Sequence, residues 1–335
     1  MQQAVAIGPA PPVAEKRRGS IGDLIFGGAA FASGVFVLVL LGAIIVILFI
    51  GGWPAFREFG AAFLTNATWD PVKDVFGGAV PIYGTIITSI LALIFAVPLA
   101  FGVAFYLTEL APEWFRRPVG TAIELLAAVP SIIYGMWGFF VIVPLMAQTI
   151  QPPIIDGLNW LADQTDGWPA VGWLTDKLSD LFSGPPFGTG IFTASLILAV
   201  MILPFIAATM RDVFATVPTM YKESAYGVGC TTWEVVRSIV LPYTRASVVG
   251  GIMLGLGRAL GETMAVTFVI GNTNRISSSL FANGNTIASI TALEFPESQQ
   301  GTLKLASLLA LGFILFVISF IVLAISRYLL RPRLK

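Results

Sequence analysis

Two charged residues, Arg258 and Glu262, stand four positions apart inside a long apolar run of this 335-residue chain. Charge within a hydrocarbon layer is costly, so such residues mark a route for a charged species or a permanent ion pair. Arginine stays charged in protein environments and presents a planar fork of donors that suits an oxyanion. Helical spacing puts Glu262 one turn beyond Arg258 on the same face, where pairing would offset much of the desolvation cost. An arginine held by an exchangeable carboxylate could release it for a passing anion, and passage requires such weak binding. The same pair could also lock helices together and do nothing else.

Covalent chemistry has little to work with. The chain has no histidine, which removes the commonest metal ligand and the commonest proton shuttle together. Its one cysteine, Cys230, cannot form an internal disulfide. No GxxxxGK[ST] phosphate loop occurs, so nucleotide hydrolysis by this chain is not expected. No metal site is expected either.

The elements that must position these residues are membrane helices. Hydrophobic residues make up 56% of the chain and charged ones 11%, against about 25% charged in soluble domains. Mean hydropathy is +0.85 and net charge is zero, which gives no case for nucleic-acid binding. Six apolar runs are long enough to cross a hydrocarbon core of about 30 Å. They cover roughly residues 25–50, 83–107, 119–147, 188–209, 247–270 and 303–329. The fold class is therefore an all-α integral membrane protein with six transmembrane helices. The first run follows Lys16, Arg17 and Arg18 but is too long for a signal h-region, so it reads as a retained helix. Residues 1–20 read as a mobile tail, and 21–335 as the transmembrane domain.

Basic residues orient the spans. Lys16, Arg17, Arg18, Arg116, Arg117, Arg211, Lys222, Arg237, Arg245, Arg327, Arg331, Arg333 and Lys335 fall on one side. Arg57, Lys73, Lys177, Arg275 and Lys304 fall on the other. The larger set predicts that both termini and the 211–245 loop are cytoplasmic and that the 148–187 loop is external. That external loop carries two amphipathic stretches, IIDGLNWLADQ and WLTDKLSDLF. Their Trp and Leu faces fit the outer interface, and they fit a protein-docking surface equally well.

The spans also carry breaks and close-packing signals. Pro98, Pro130, Pro144 and Pro204 each delete a backbone donor and invite a kink. Ser131, after Pro130, is placed to line a pathway at such a kink. Glu124 is expected inside the third span, in a structural role near a helix N-terminus. Gly251/Gly255 and Gly257/Gly261 match GxxxG spacing, which lets another helix approach, within the chain or across a subunit interface.

Between the fourth and fifth runs lies ESAYGVGCTTWEVVRSIVLP, residues 223–242. Pro218 can open a helix that Gly227 and Gly229 end. Thr231 and Glu234 have capping-box spacing for a second helix over 233–240, limited by Pro242. Two short helices around a glycine turn could lie on the headgroups. A compact polar element there makes more sense if something docks on it.

The residues Glu223, Ser224, Ala225, Gly229, Ile239, Leu241 and Pro242 resemble the EAA loop of bacterial type I ABC importer permeases, with Ser224 replacing an alanine. GGAVPIYGT, AIELLAAVPSIIYGMWG, GRALGETMAV and SLFANGNTIAS narrow the resemblance to the permease subunits of phosphate importers. It runs over about residues 22–331. It implies the MetI-like permease fold in the bacterial inner membrane, with the 211–245 loop as a coupling helix docked on a separate ATPase subunit. It also implies phosphate as the cargo, with Arg258 and Glu262 important for its passage. The implied partners are a second permease similar to PstA, two ATPase subunits similar to PstB and an external phosphate-binding protein similar to PstS. No cofactor is expected on this chain, since ATP and Mg would be used by the ATPases. A permease for a related oxyanion and a self-sufficient anion channel are the other readings.

Overall fold

The computed structural model describes residues 21–165 and 169–329. The tail expected at 1–20 lies outside them, as do Asp166, Arg331, Arg333 and Lys335. The chain divides into two units, residues 1–47 and 48–335.

In the first unit, the described part is helical and belongs to the helix Ile21–Phe59. Phe31, Phe36 and Leu38 are all exposed on it. A helix that is apolar all round, with no polar face, is solvated by lipid.

In the second unit, the further membrane-length helices are Ala79–Leu110, Ser131–Thr165, Ile191–Ala215, Thr232–Leu260 and Leu303–Tyr328. With the first helix, that makes six among the described residues, as expected. Several ends differ from the sequence reading.

The third span is displaced. The expected run over 119–147 is cut at Pro130 into an amphipathic helix, Glu113–Ala127, and the span Ser131–Thr165. Proline has no N–H and pushes the preceding residue out of the α region. The first helix closes before it with tight bonds from Ala128 N to Leu125 O (3.1 Å) and from Val129 N to Leu126 O (3.2 Å). Pro144 does not break the span. π-helical turns at Gly138–Ile142 and Met146–Ile150 flank it and absorb the lost bond. Pro98 and Pro204 also sit inside continuous helices.

The external loop expected over 148–187 is largely helical. The third span runs on to Thr165, and a second helix covers Pro169–Leu181. The two are joined by a 2.5 Å contact between the Thr165 and Thr175 hydroxyls and by Ser179 Oγ donating to Asn159 Oδ1 at 2.6 Å.

The main core lies between the second and fourth spans. Ala92, Ala96, Ala100 and Ala104, all fully buried, form a stripe at four-residue spacing. Ile197, Leu198, Met201, Ile202 and Ile206 of the fourth span belong to the same cluster. Lipid tails are as apolar as leucine, so burial alone does not join these helices. Small residues do, by allowing close van der Waals contact.

The return segment after the fifth span knits the ends of the second and fourth spans together. Ile191 N donates to Ala282 O at 3.1 Å, Phe192 N to Leu280 O at 2.8 Å, and Ile287 N to Thr85 Oγ1 at 2.9 Å. A methyl group at Gly84 would lie 2.0 Å from Asn285 O, so only glycine fits. GGAVPIYGT and SLFANGNTIAS, noted separately in the sequence, meet at this seam.

Candidate functional site

The fifth span ends at Leu260. Gly261 leaves the helix with φ −94° and ψ 4°, and a short helix, Met264–Thr267, follows. Glu262 is therefore not one helical turn above Arg258. Its carboxylate Oε1 accepts from Ala265 N at 3.2 Å and caps the short helix. The expected Arg258–Glu262 ion pair is absent from the described residues. The physical reason is that the helix ends at Gly261, which takes Glu262 off the face that carries Arg258 and gives the carboxylate an orphan N–H of the next helix to satisfy.

Arg258 is exposed and Glu262 half-buried. The Arg258 guanidinium carbon lies 6.0 Å from the centre of the Phe205 ring, on the fourth span. At the start of the third span, the Tyr134 hydroxyl donates to Leu126 O at 3.0 Å. Phe205 and Tyr134 carried no signal of their own in the sequence.

The start of the third span reaches the same break. A methyl at Gly135 would lie 2.9 Å from Ala265 Cα, so the two helices touch backbone to backbone. Ser131 opens that helix, is half-buried, and makes no side-chain hydrogen bond among the described residues. The fold thus brings the elements bearing Ser131, Arg258 and Glu262 to one place.

The two glycine pairs separate. A methyl at Gly251 would lie 2.8 Å from Thr209 Cγ2, and one at Gly255 would lie 2.7 Å from Ile206 Cδ1. This pair packs the fifth span on the fourth. Gly257 has nothing within 4 Å, and Gly261 meets only Gly257 O at 3.9 Å. That pair is open within the chain, on the stretch that carries Arg258.

The coupling-like segment forms a helix, Thr219–Gly227. Gly229 then adopts φ +90°, a region other residues resist. Thr231 caps the next helix, with Glu234 Oε2 accepting from Thr231 N at 2.8 Å, completing the capping box. Ala225 is buried, Glu223 and Ser224 are exposed, and Ser224 Oγ bonds back to Met220 O at 2.7 Å.

The second short helix expected over 233–240 is not separate. It runs through Leu241 and Pro242 into the fifth span as one helix, Thr232–Leu260. Val236–Val240 is wound as a π-helix, and this wider turn gives Pro242 room where an α-turn would set its ring against Ser238 O. Met220, Tyr221, Val228 and Trp233 stand exposed on this segment.

Glu124 also differs from expectation. It lies near the end of Glu113–Ala127, outside the third span, and its Oε1 meets Arg211 Nη2 at 2.5 Å. Gly120 makes room for that arginine, since a methyl there would lie 2.3 Å from Arg211 Nη1.

Residues 96–335 match the family described as binding-protein-dependent transport system inner membrane component. The chain is 54% identical to the phosphate transport system permease protein PstC of Mesorhizobium japonicum, over 94% of this chain and 91% of that one. It is 55% identical to PstC of Pasteurella multocida, over 92% and 91%. A chain of a bacterial alginate ABC transporter, solved with an alginate-bound periplasmic protein, is similar in fold. Its TM-score is 0.52 and its identity 15%, covering 92% of this chain and 95% of that one.

Proposed function

This chain belongs to the family of binding-protein-dependent transport system inner membrane components, and from that premise we propose that it is a permease subunit of an ATP-driven phosphate importer. It forms half of the translocation route and does no covalent chemistry. One observation carries the reading. The single helix Thr232–Leu260, 29 residues long and so about 40 Å, bears the coupling segment at one end and the unpaired Arg258 at the other.

A phosphate ion in hydrocarbon is prohibitively costly, so its route needs fixed positive charge along a wet cavity. Arg258 supplies that charge, and Phe205 holds it without neutralising it. Ser131 and Glu262 border the same place, with Glu262 setting the shape of the break. Glu223, Ser224, Ala225, Gly229, Leu241 and Pro242 form the part that faces an ATPase.

The partners in this reading are a second permease similar to PstA, two ATPase subunits similar to PstB and a phosphate-binding protein similar to PstS outside. The open face at Gly257 and Gly261 meets the second permease. ATP and Mg act in the ATPases, whose closure rocks the permeases between inward and outward states. A self-sufficient channel would have no use for the coupling segment.

The test is reconstitution of the assembled complex in vesicles, with uptake of phosphate, arsenate and sulfate measured against ATP hydrolysis. Uptake specific to phosphate and dependent on ATP supports the reading. Preference for sulfate or arsenate assigns a related oxyanion, and uptake without ATP would sink the importer reading.

A further inference from the structure

We propose that Lys222 and Glu109 form the link through which movement of the coupling segment reaches the second span. This rests on Thr219–Gly227 being the ATPase-facing segment. Lys222 Nζ lies 2.6 Å from Glu109 Oε1, and the two side chains are only 15% and 7% exposed. Among the described residues it is the one ion pair that ties Thr219–Gly227 to another part of the chain. The next residue, Glu223, is exposed, so adjacent positions face a partner and the chain's own interior.

The receiving end is braced. Glu109 lies in the π-helical end of the second span, Tyr106–Leu110. Arg116 Nη2 donates to Thr108 O at 2.8 Å and to Ala111 O at 3.2 Å, closing that end. Four residues before Glu109, the Phe105 ring meets Trp233 edge-on with centroids 6.2 Å apart. The coupling segment therefore grips one end of the second span from both sides of its glycine turn, Lys222 before Gly229 and Trp233 after it. Phe105 stacks on Phe101, which meets Phe214 of the fourth span at 5.8 Å.

An apolar contact tolerates sliding. A charge pair largely withdrawn from solvent loses attraction when drawn apart, so it transmits force along one direction. Replacing a buried pair by apolar residues is often neutral or stabilising, so stability alone does not explain this one. The fifth span moves with the coupling segment by covalent continuity. The second and fourth spans move with it through Lys222–Glu109.

The experiment uses the assembled transporter in vesicles with the phosphate-loaded external binding protein. The double variant Lys222→Met/Glu109→Leu removes the link without leaving an unpaired charge. It is expected to assemble and hydrolyse ATP, but with stimulation of hydrolysis by the binding protein reduced about fivefold or more. Uptake per ATP should fall in parallel. The swapped variant Lys222→Glu/Glu109→Lys is expected to restore both. Wild-type stimulation in the apolar variant overturns the proposal. So does a swapped variant that assembles yet stays uncoupled, and this arm decides the matter if the apolar variant fails to assemble. Stimulation reads the link whatever the cargo is. A wild-type complex that carries no phosphate would count against the functional reading alone.

Discussion

Arg258 lies over the ring of Phe205, its guanidinium carbon 6.0 Å from the ring centre, and makes no pair with the carboxylate four residues on. A cation over an aromatic face is worth about 0.5–1 kcal/mol at an exposed site. That is enough to orient the arginine and too little to neutralise it.

Arg258→Ala is therefore expected to abolish uptake while complex yield and melting change little, within about 1 kcal/mol. No buried carboxylate is orphaned by the change. Arg258→Lys should also transport poorly, because an ammonium cannot reproduce the planar fork. Normal uptake with Ala would remove Arg258 from the route.

Glu262 separates capping from charge. Glu262→Gln keeps an oxygen for Ala265 N and should assemble normally, with altered phosphate passage. Glu262→Ala removes the cap and should lower stability by about 1 kcal/mol. Thermal melting of the purified complex reads the difference. Equal melting for Gln and Ala would mean the cap contributes nothing.

The glycine pairs should respond differently. Gly255→Val forces atoms into Ile206 and should destabilise the chain itself by about 1–3 kcal/mol. A Cβ at Gly257 has nothing within 4 Å among the described residues, so Gly257→Val should leave the fold intact while weakening co-purification of the second permease. Equal losses of folded chain in both would refute an interface at Gly257.

Gly229→Asp must place a side chain at φ +90°, a strain on the order of 1–2 kcal/mol. The turn should distort, and phosphate uptake should fall with membrane insertion preserved. Uptake and expression in cells check this together. Wild-type uptake would mean that the turn is not part of the coupling element.

Orientation is open to labelling. In a Cys230→Ser background, Gln164→Cys and Val228→Cys place single thiols at exposed positions. An impermeant thiol reagent on intact cells should label the first and spare the second. After permeabilisation both should react. The reverse pattern on intact cells would invert the chain in the membrane and end the coupling assignment.

Much of the architecture was legible in the chain alone. Six spans follow from long apolar runs, since a backbone in lipid must satisfy its own hydrogen bonds and only helices do so within one segment. The turn after Thr219–Gly227 was legible too, because Gly229 and the Thr231–Glu234 cap are local, set by residues within a few positions of one another. Arg258 and Glu262 stood out as charge among apolar neighbours.

The tertiary structure decided what depends on distant partners. Helix periodicity alone pairs Arg258 with Glu262, but the break at Gly261 hands the carboxylate to Ala265 N and leaves the arginine to Phe205. Pro242 reads as a stop until the π turn before it is seen, and Pro130 as a kink within a span until two separate helices are seen. The GxxxG spacing is the same at both pairs, yet only Gly251 and Gly255 face the fourth span. Lys222 and Glu109 sit 113 positions apart, and no local pattern links them. A sequence carries the cost of each charge and break; which neighbour meets that cost is set by packing between segments far apart in the chain.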